Sequence, residues 1–123
     1  MNTTALLFGS FFGALAIILG AFGAHLLKKK LNSDLLQSFE TGIKYQMYHA
    51  ILLLVLGFNL ESTKVDTTII TVFIIGVFLF SFSIYGLVLS SARNKKLKFL
   101  GPITPLGGFF LVLGWLLMIY KYI

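Results

Sequence analysis

His25 and His49 are the side chains of this sequence best suited to chemistry within an apolar setting. An imidazole can move a proton near neutral pH, ligate a metal or take an axial position on a haem iron. His49 lies in the run Tyr45-Gln46-Met47-Tyr48-His49, and Glu40 precedes it by a few helical turns. With His25, these residues make one candidate ligand pocket: His25, Glu40, Tyr45, Gln46 and His49. A metal site would need Glu40 or Asp34 as a third ligand, and the spacing forms no metal motif. No metal and no cofactor is therefore assigned, with a metal- or haem-bound redox protein kept as an alternative. A neutral imidazole satisfied by a backbone carbonyl or a hydroxyl is the structural alternative. Ser33, Ser38 and Thr41 show no triad-like order, and no apolar run holds a carboxylate, so no catalytic residue is assigned. The absence of cysteine removes disulfides, thiolate ligands and thiol nucleophiles.

The elements that must position these residues are long apolar runs. Of 123 residues, 58% are hydrophobic and 11% charged, against about 25% charged in soluble domains. The mean hydropathy is +0.95. At 1.5 Å per residue, about 20 apolar residues cross a hydrocarbon core roughly 30 Å thick. Spans are expected over about 5–27, 45–60, 67–92 and 103–120. No Lys or Arg precedes the first run, and Lys28, Lys29 and Lys30 follow it, which reads as a stop-transfer span and not a cleaved signal. Asn32, Ser33 and Asp34 are N-cap types, with Gln37 in capping-box spacing from Asp34. The stretch 34–44 is amphipathic and predicts a short interfacial helix. A bend or a continuation is expected near Gly42. Thr104 as N-cap with Pro105 behind it predicts the start of the last helix. The expected architecture is one all-α domain over 1–123: an integral membrane four-helix bundle with a short cytoplasmic-side amphipathic helix between the first two spans.

Cations set the orientation. The first and third loops hold Lys28, Lys29, Lys30, Lys44, Arg93, Lys95, Lys96 and Lys98, whereas the second loop and the C-terminal end hold Lys64 and Lys121. This bias puts the basic loops in the cytoplasm and both termini outside, in a bacterial inner membrane. The formal charge of +6 is thereby explained without nucleic acid. Lys28, Lys29, Lys30, Arg93, Lys95, Lys96 and Lys98 are the expected contacts to anionic phospholipids, each contributing about 1 kcal/mol at the surface. Gly107 and Gly108 are expected to offer backbone N–H groups beside them. A mid-membrane acid or broken helix of the kind that carries coupled transport is missing from the pattern.

Small residues mark where helices in lipid approach closely. Gly9, Gly13, Ala16, Gly20 and Gly23 form one stripe, Gly76 and Gly86 another with Ser83 and Ser90, and Gly107 and Gly114 a third. Packing within one bundle is the simpler reading, and a homo-oligomer or a larger membrane complex is the other.

Three segments, Gly20-Ala21-Phe22-Gly23-Ala24-His25, Phe39 to Ala50, and Gly101-Pro102-Ile103-Thr104-Pro105-Leu106-Gly107-Gly108, resemble the YgdD/YwdK-like small membrane proteins, domain-of-unknown-function family 423, in the same order along the chain. The resemblance implies a multi-pass inner-membrane protein and brings no activity with it. Its signature residues coincide with the pocket candidates. Three roles remain: a non-enzymatic accessory or scaffold subunit, a lipid or small-molecule binding module with a cytoplasmic-side pocket, and the redox protein named above.

Overall fold

The computed structural model describes residues 1–123, with all side chains except those of Phe22 and Ala24. Among the described residues the secondary structure is entirely helical, arranged as four rods. The first rod is α1 (Thr3–Ile18), a π-helical turn (Leu19–Gly23) and α2 (Ala24–Leu27). Asn2 caps it, its side chain accepting from the Ala5 N–H at 3.1 Å. The second rod is a single helix, α3 (Ser33–Asn59). The third joins α4 (Lys64–Val77) to α5 (Ser83–Ala92) through a second π-helical turn (Phe78–Phe82), and the fourth is α6 (Ile103–Tyr122) after a 3-10 turn at Lys98–Leu100.

Three stretches, Thr3–Leu27, Lys64–Ala92 and Lys98–Tyr122, are long and apolar enough to cross a membrane. The α3 rod is more polar because it contributes Lys44, Gln46 and His49. The stretch 34–44 expected as a short interfacial helix is the first part of α3, and of the bend and the continuation expected near Gly42 the structure has the continuation. Gly42 is packed against the third rod. Ser81 Oγ donates to the Gly42 carbonyl at 2.7 Å, and a Cβ on Gly42 would meet the Tyr85 ring at 2.8 Å. Asn32 caps α3 through the Leu35 N–H at 2.8 Å. The cap expected at Thr104 is displaced: α6 starts at Ile103 after Pro102. The Thr104 hydroxyl is instead bonded across to Ser83 Oγ.

α1 packs along α3, and α4 along α6, while α5 lies against α3. The glycine stripes supply the close approaches. Gly9 and Gly13 face Ala50, Gly20 faces Ile43 and Gly23 faces Phe39, while Gly76 meets Leu111, Gly86 meets Leu100 and Gly114 meets Phe73. One apolar core joins Phe12, Leu53, Ile69, Phe73 and Leu111, and a smaller one at the lysine-rich end joins Leu31, Phe39, Ile84 and Val88. At the opposite end the Asn2 N–H bonds to the Gly57 carbonyl at 2.7 Å, and Asp66 pairs with Lys121. The N-terminus, the 60–63 turn and the C-terminus thus share one end.

Candidate functional site

Gln46 gathers the interior polar bonds. It is fully buried, its Nε2 donates to the Phe12 carbonyl at 2.8 Å, and its Oε1 accepts from the Tyr85 hydroxyl at 2.7 Å. One side chain of α3 therefore ties α1 and α5 to it. A buried amide with both ends bonded avoids the cost of stranding a polar group in an apolar interior. His49, one turn on, is 5% exposed. Its Nδ1 lies 2.7 Å from the Tyr45 carbonyl, and the Trp115 indole N–H donates to its Nε2 at 3.2 Å. That pairing calls for the neutral tautomer with the proton on Nδ1, and it links α3 to α6. Phe73 and Trp115 enclose the ring. Among the described residues, every buried side-chain nitrogen and oxygen has a partner.

Only part of the expected pocket comes together. Tyr45, Gln46 and His49 share α3, yet the Tyr45 side chain is 43% exposed. Glu40 and His25 are also exposed. Because Gly23 packs on Phe39 and Gly9 on Ala50, His25 is level with about residue 37 of α3. His49 is some twelve residues farther along, roughly 18 Å at 1.5 Å per residue. The cytoplasmic-side pocket expected to hold both histidines therefore does not bring them to the same level. The helix begins at Ser33, so His49 falls near the middle of the rod. The two imidazoles are too far apart to ligate one iron. Among the described residues, no group of three or more His, Asp or Glu side chains could hold a metal ion.

Gly107 and Gly108 also differ from expectation. With α6 starting at Ile103, Gly107 lies beyond the first four residues, whose N–H groups lack helical partners. It is buried, and a Cβ there would lie 2.2 Å from the Phe80 nitrogen and 2.6 Å from the Leu79 carbonyl carbon. It is a packing glycine seated on the second π-helical turn. Sequence reasoning missed Tyr85, Ser81 and Trp115. For Tyr85 and Trp115 the signal was a hydroxyl-tipped or N–H-bearing aromatic placed away from the ends of a span, and for Ser81 a lone hydroxyl among apolar residues, each needing an interior partner.

A separate cleft opens at the lysine-rich end. It has a volume of about 580 Å3 and lies between α3 (Leu35, Ser38, Thr41), α5 (Ile84, Leu87, Val88, Ser91) and the start of α6 (Thr104, Pro105), with Phe80 and Lys96 also in its wall. The histidines and Glu40 are not part of that wall. The loop carrying Lys96 has a fixed shape. Asn94 takes the left-handed conformation (φ 57°), the Asn94 N–H reaches the Ser91 carbonyl at 3.1 Å and the Lys95 N–H the Ser90 carbonyl at 3.0 Å. This is the Schellman ending of a helix. Ser90 Oγ then accepts from the Leu97 N–H at 3.1 Å.

Comparison with known proteins adds the family. A family model described as protein of unknown function (DUF423) matches residues 19–108. The chain belongs to the DUF423 family. It is 37% identical to the membrane protein YwdK of Bacillus subtilis over 117 residues, 93% of this chain and 91% of that one. A Staphylococcus aureus membrane protein is 36% identical over 93% of this chain and 90% of its own length. A membrane protein of Schizosaccharomyces pombe is 35% identical over 87% and 91%. No solved structure matches. The DUF423 segment contains Gln46, His49, Tyr85, Gly107 and the whole cleft wall, while Phe12, Trp115 and Lys121 lie outside it.

Proposed function

We propose that this DUF423 chain is a four-helix bundle crossing a bacterial cytoplasmic membrane four times, with both termini outside, and that it serves as a non-enzymatic accessory or scaffold subunit. The observation that carries the reading is Gln46, whose two bonds join three rods at full burial. In lipid such bonds, with close packing at small residues, hold helices together. The polar groups within the spans are spent on holding the bundle, which suits a rigid body that others pack against. Support for four crossings comes from α3 itself: Gln46 and His49 turn inward, so the outer surface of its second half (Ile51, Val55, Phe58) is apolar. Orientation rests on the eight cations at one end against two at the other. The relatives in Bacillus subtilis and Staphylococcus aureus are described as membrane proteins, which supports the location.

The outward faces of α1 and α6 offer the contact surface, with Phe11 and Ile17 on one and Phe109, Val112 and Leu116 on the other. Extraction in a mild detergent followed by native electrophoresis should give a discrete species larger than the monomer. Because the sequence has no cysteine, Phe109→Cys and Phe11→Cys variants can be crosslinked in the intact membrane to find which face is used. A clean monomer that no crosslinker captures at either face removes the reading.

A further inference from the structure

We propose that the cleft between α3, α5 and the start of α6 holds one anionic phospholipid of the cytoplasmic leaflet, its acyl chain along the apolar wall and its phosphate at Lys96. The site is independent of the scaffold role and rests only on the proposed orientation of the bundle.

The two halves of the cleft differ in chemistry. Phe80, Ile84, Leu87 and Val88 give its deep wall an aliphatic and aromatic surface, suited to a hydrocarbon chain. Along α5 toward the lysine-rich end the wall passes from Ile84, Leu87 and Val88 to the Ser91 hydroxyl and then to Lys96, while the Thr41 and Thr104 hydroxyls set among the apolar residues are already bonded to the Gln37 carbonyl and to Ser83 Oγ. The order from apolar to hydrogen-bonding to cationic is that of a phospholipid read from tail to headgroup. The wall includes one cation and no carboxylate, so a net negative headgroup is favoured over a zwitterionic one. A volume of about 580 Å3 falls inside the roughly 300–1,000 Å3 of small-ligand sites, which suits one chain and not a pair.

Position and rigidity agree with this occupant. The cleft borders the smaller core, at the end where the basic loops emerge, so its mouth is at headgroup depth once those loops face the cytoplasm. Lys96 is not on a free loop. The Schellman ending at Asn94 and the Ser90 bond to the Leu97 N–H fix the backbone on both sides of it. Its neighbours Arg93, Lys95 and Lys98 add to the positive potential without lining the wall.

The test is native mass spectrometry on detergent-extracted protein exposed to phosphatidylglycerol and phosphatidylcholine with identical chains. The wild type should retain one phosphatidylglycerol in preference to phosphatidylcholine. Lys96→Glu should lower that preference by at least about fivefold, the factor that corresponds to losing one surface cation's contribution of about 1 kcal/mol. Lys29→Glu makes the same charge change on the other loop and should leave it nearly intact. Ser38→Trp, at an exposed wall position, should reduce retention of both lipids by filling the space for the chain. Equal losses in the two lysine variants would show a diffuse basic surface and overturn the site. So would retention unaffected by Ser38→Trp, or glycerol phosphate competing as well as the intact lipid.

Discussion

Gln46 was visible in the sequence as an amide among apolar residues, but its partners were not. Phe12 is 34 positions away and Tyr85 39 positions away, and residue type alone does not pair positions on different helices. The geometry makes the energetic order predictable. Gln46→Leu removes both bonds and leaves the buried Tyr85 hydroxyl without its Gln46 acceptor. Interhelical hydrogen bonds in membrane bundles average about 0.6 kcal/mol and reach about 1.7, so a loss of roughly 1–2 kcal/mol is expected. Tyr85→Phe should cost about 0.6 kcal/mol, because Gln46 keeps its bond to the Phe12 carbonyl. The double variant should cost less than the sum of the two, since no hydroxyl is then stranded. Unfolding in mixed micelles checks all three. A Gln46→Leu variant no weaker than Tyr85→Phe would show that the amide joins the rods only nominally. His49 belongs to the same scale: its type suggested chemistry, whereas in the structure both ring nitrogens are taken, by the Tyr45 carbonyl and the Trp115 N–H, the second bond linking α3 to α6.

At the scale of elements, the apolar runs and a cap within Asn32–Asp34 follow from composition and local spacing, whereas the Asn2 cap comes from the structure alone. The two π-helical turns do not, because they depend on what lies across the interface, and at Gly42 the sequence offered a bend and a continuation without choosing between them. Gly107 shows the difference. Its place in a small-residue stripe was legible, but the backbone it touches was not. Alanine there would put a methyl group against the Phe80 nitrogen and the Leu79 carbonyl carbon at 2.2 and 2.6 Å, and main-chain atoms cannot turn aside as a side chain can. The helices must move apart, at a cost of about 1–3 kcal/mol by analogy with overpacked cores. Gly108→Ala meets only the Phe80 ring at 3.8 Å and should be within experimental error of wild type. Thermal unfolding of the two purified variants decides the point, and equal stabilities would mean that α6 does not rest on the π-helical turn.

Over the whole molecule, the termini and the 60–63 turn converge at one end and the basic loops at the other. Two kinds of contact hold the first group together. Asn2 reaches the Gly57 and Glu61 carbonyls, and Lys121 pairs with a buried Asp66 whose other oxygen accepts from the Glu61 N–H. Lys121→Met leaves that carboxylate without its counter-ion. It should destabilise by about 1–3 kcal/mol, below the cost for a fully enclosed pair because the lysine is partly exposed. Asp66→Asn should cost less than Lys121→Met, since the amide keeps an acceptor for Glu61 and leaves no unpaired carboxylate. The proposed orientation sets what should be accessible from each side of the membrane. Single cysteines can be introduced without background, the chain having none of its own. In intact cells a membrane-impermeant maleimide should label Ser62→Cys and leave Lys29→Cys untouched until the cells are opened. Both positions are exposed, so neither is shielded by the fold, and only the bilayer can separate them. Labelling of Lys29→Cys from outside would invert the molecule and turn the Lys96 cleft toward the wrong leaflet. Labelling of both alike would mean that no bilayer lies between the two ends of the bundle.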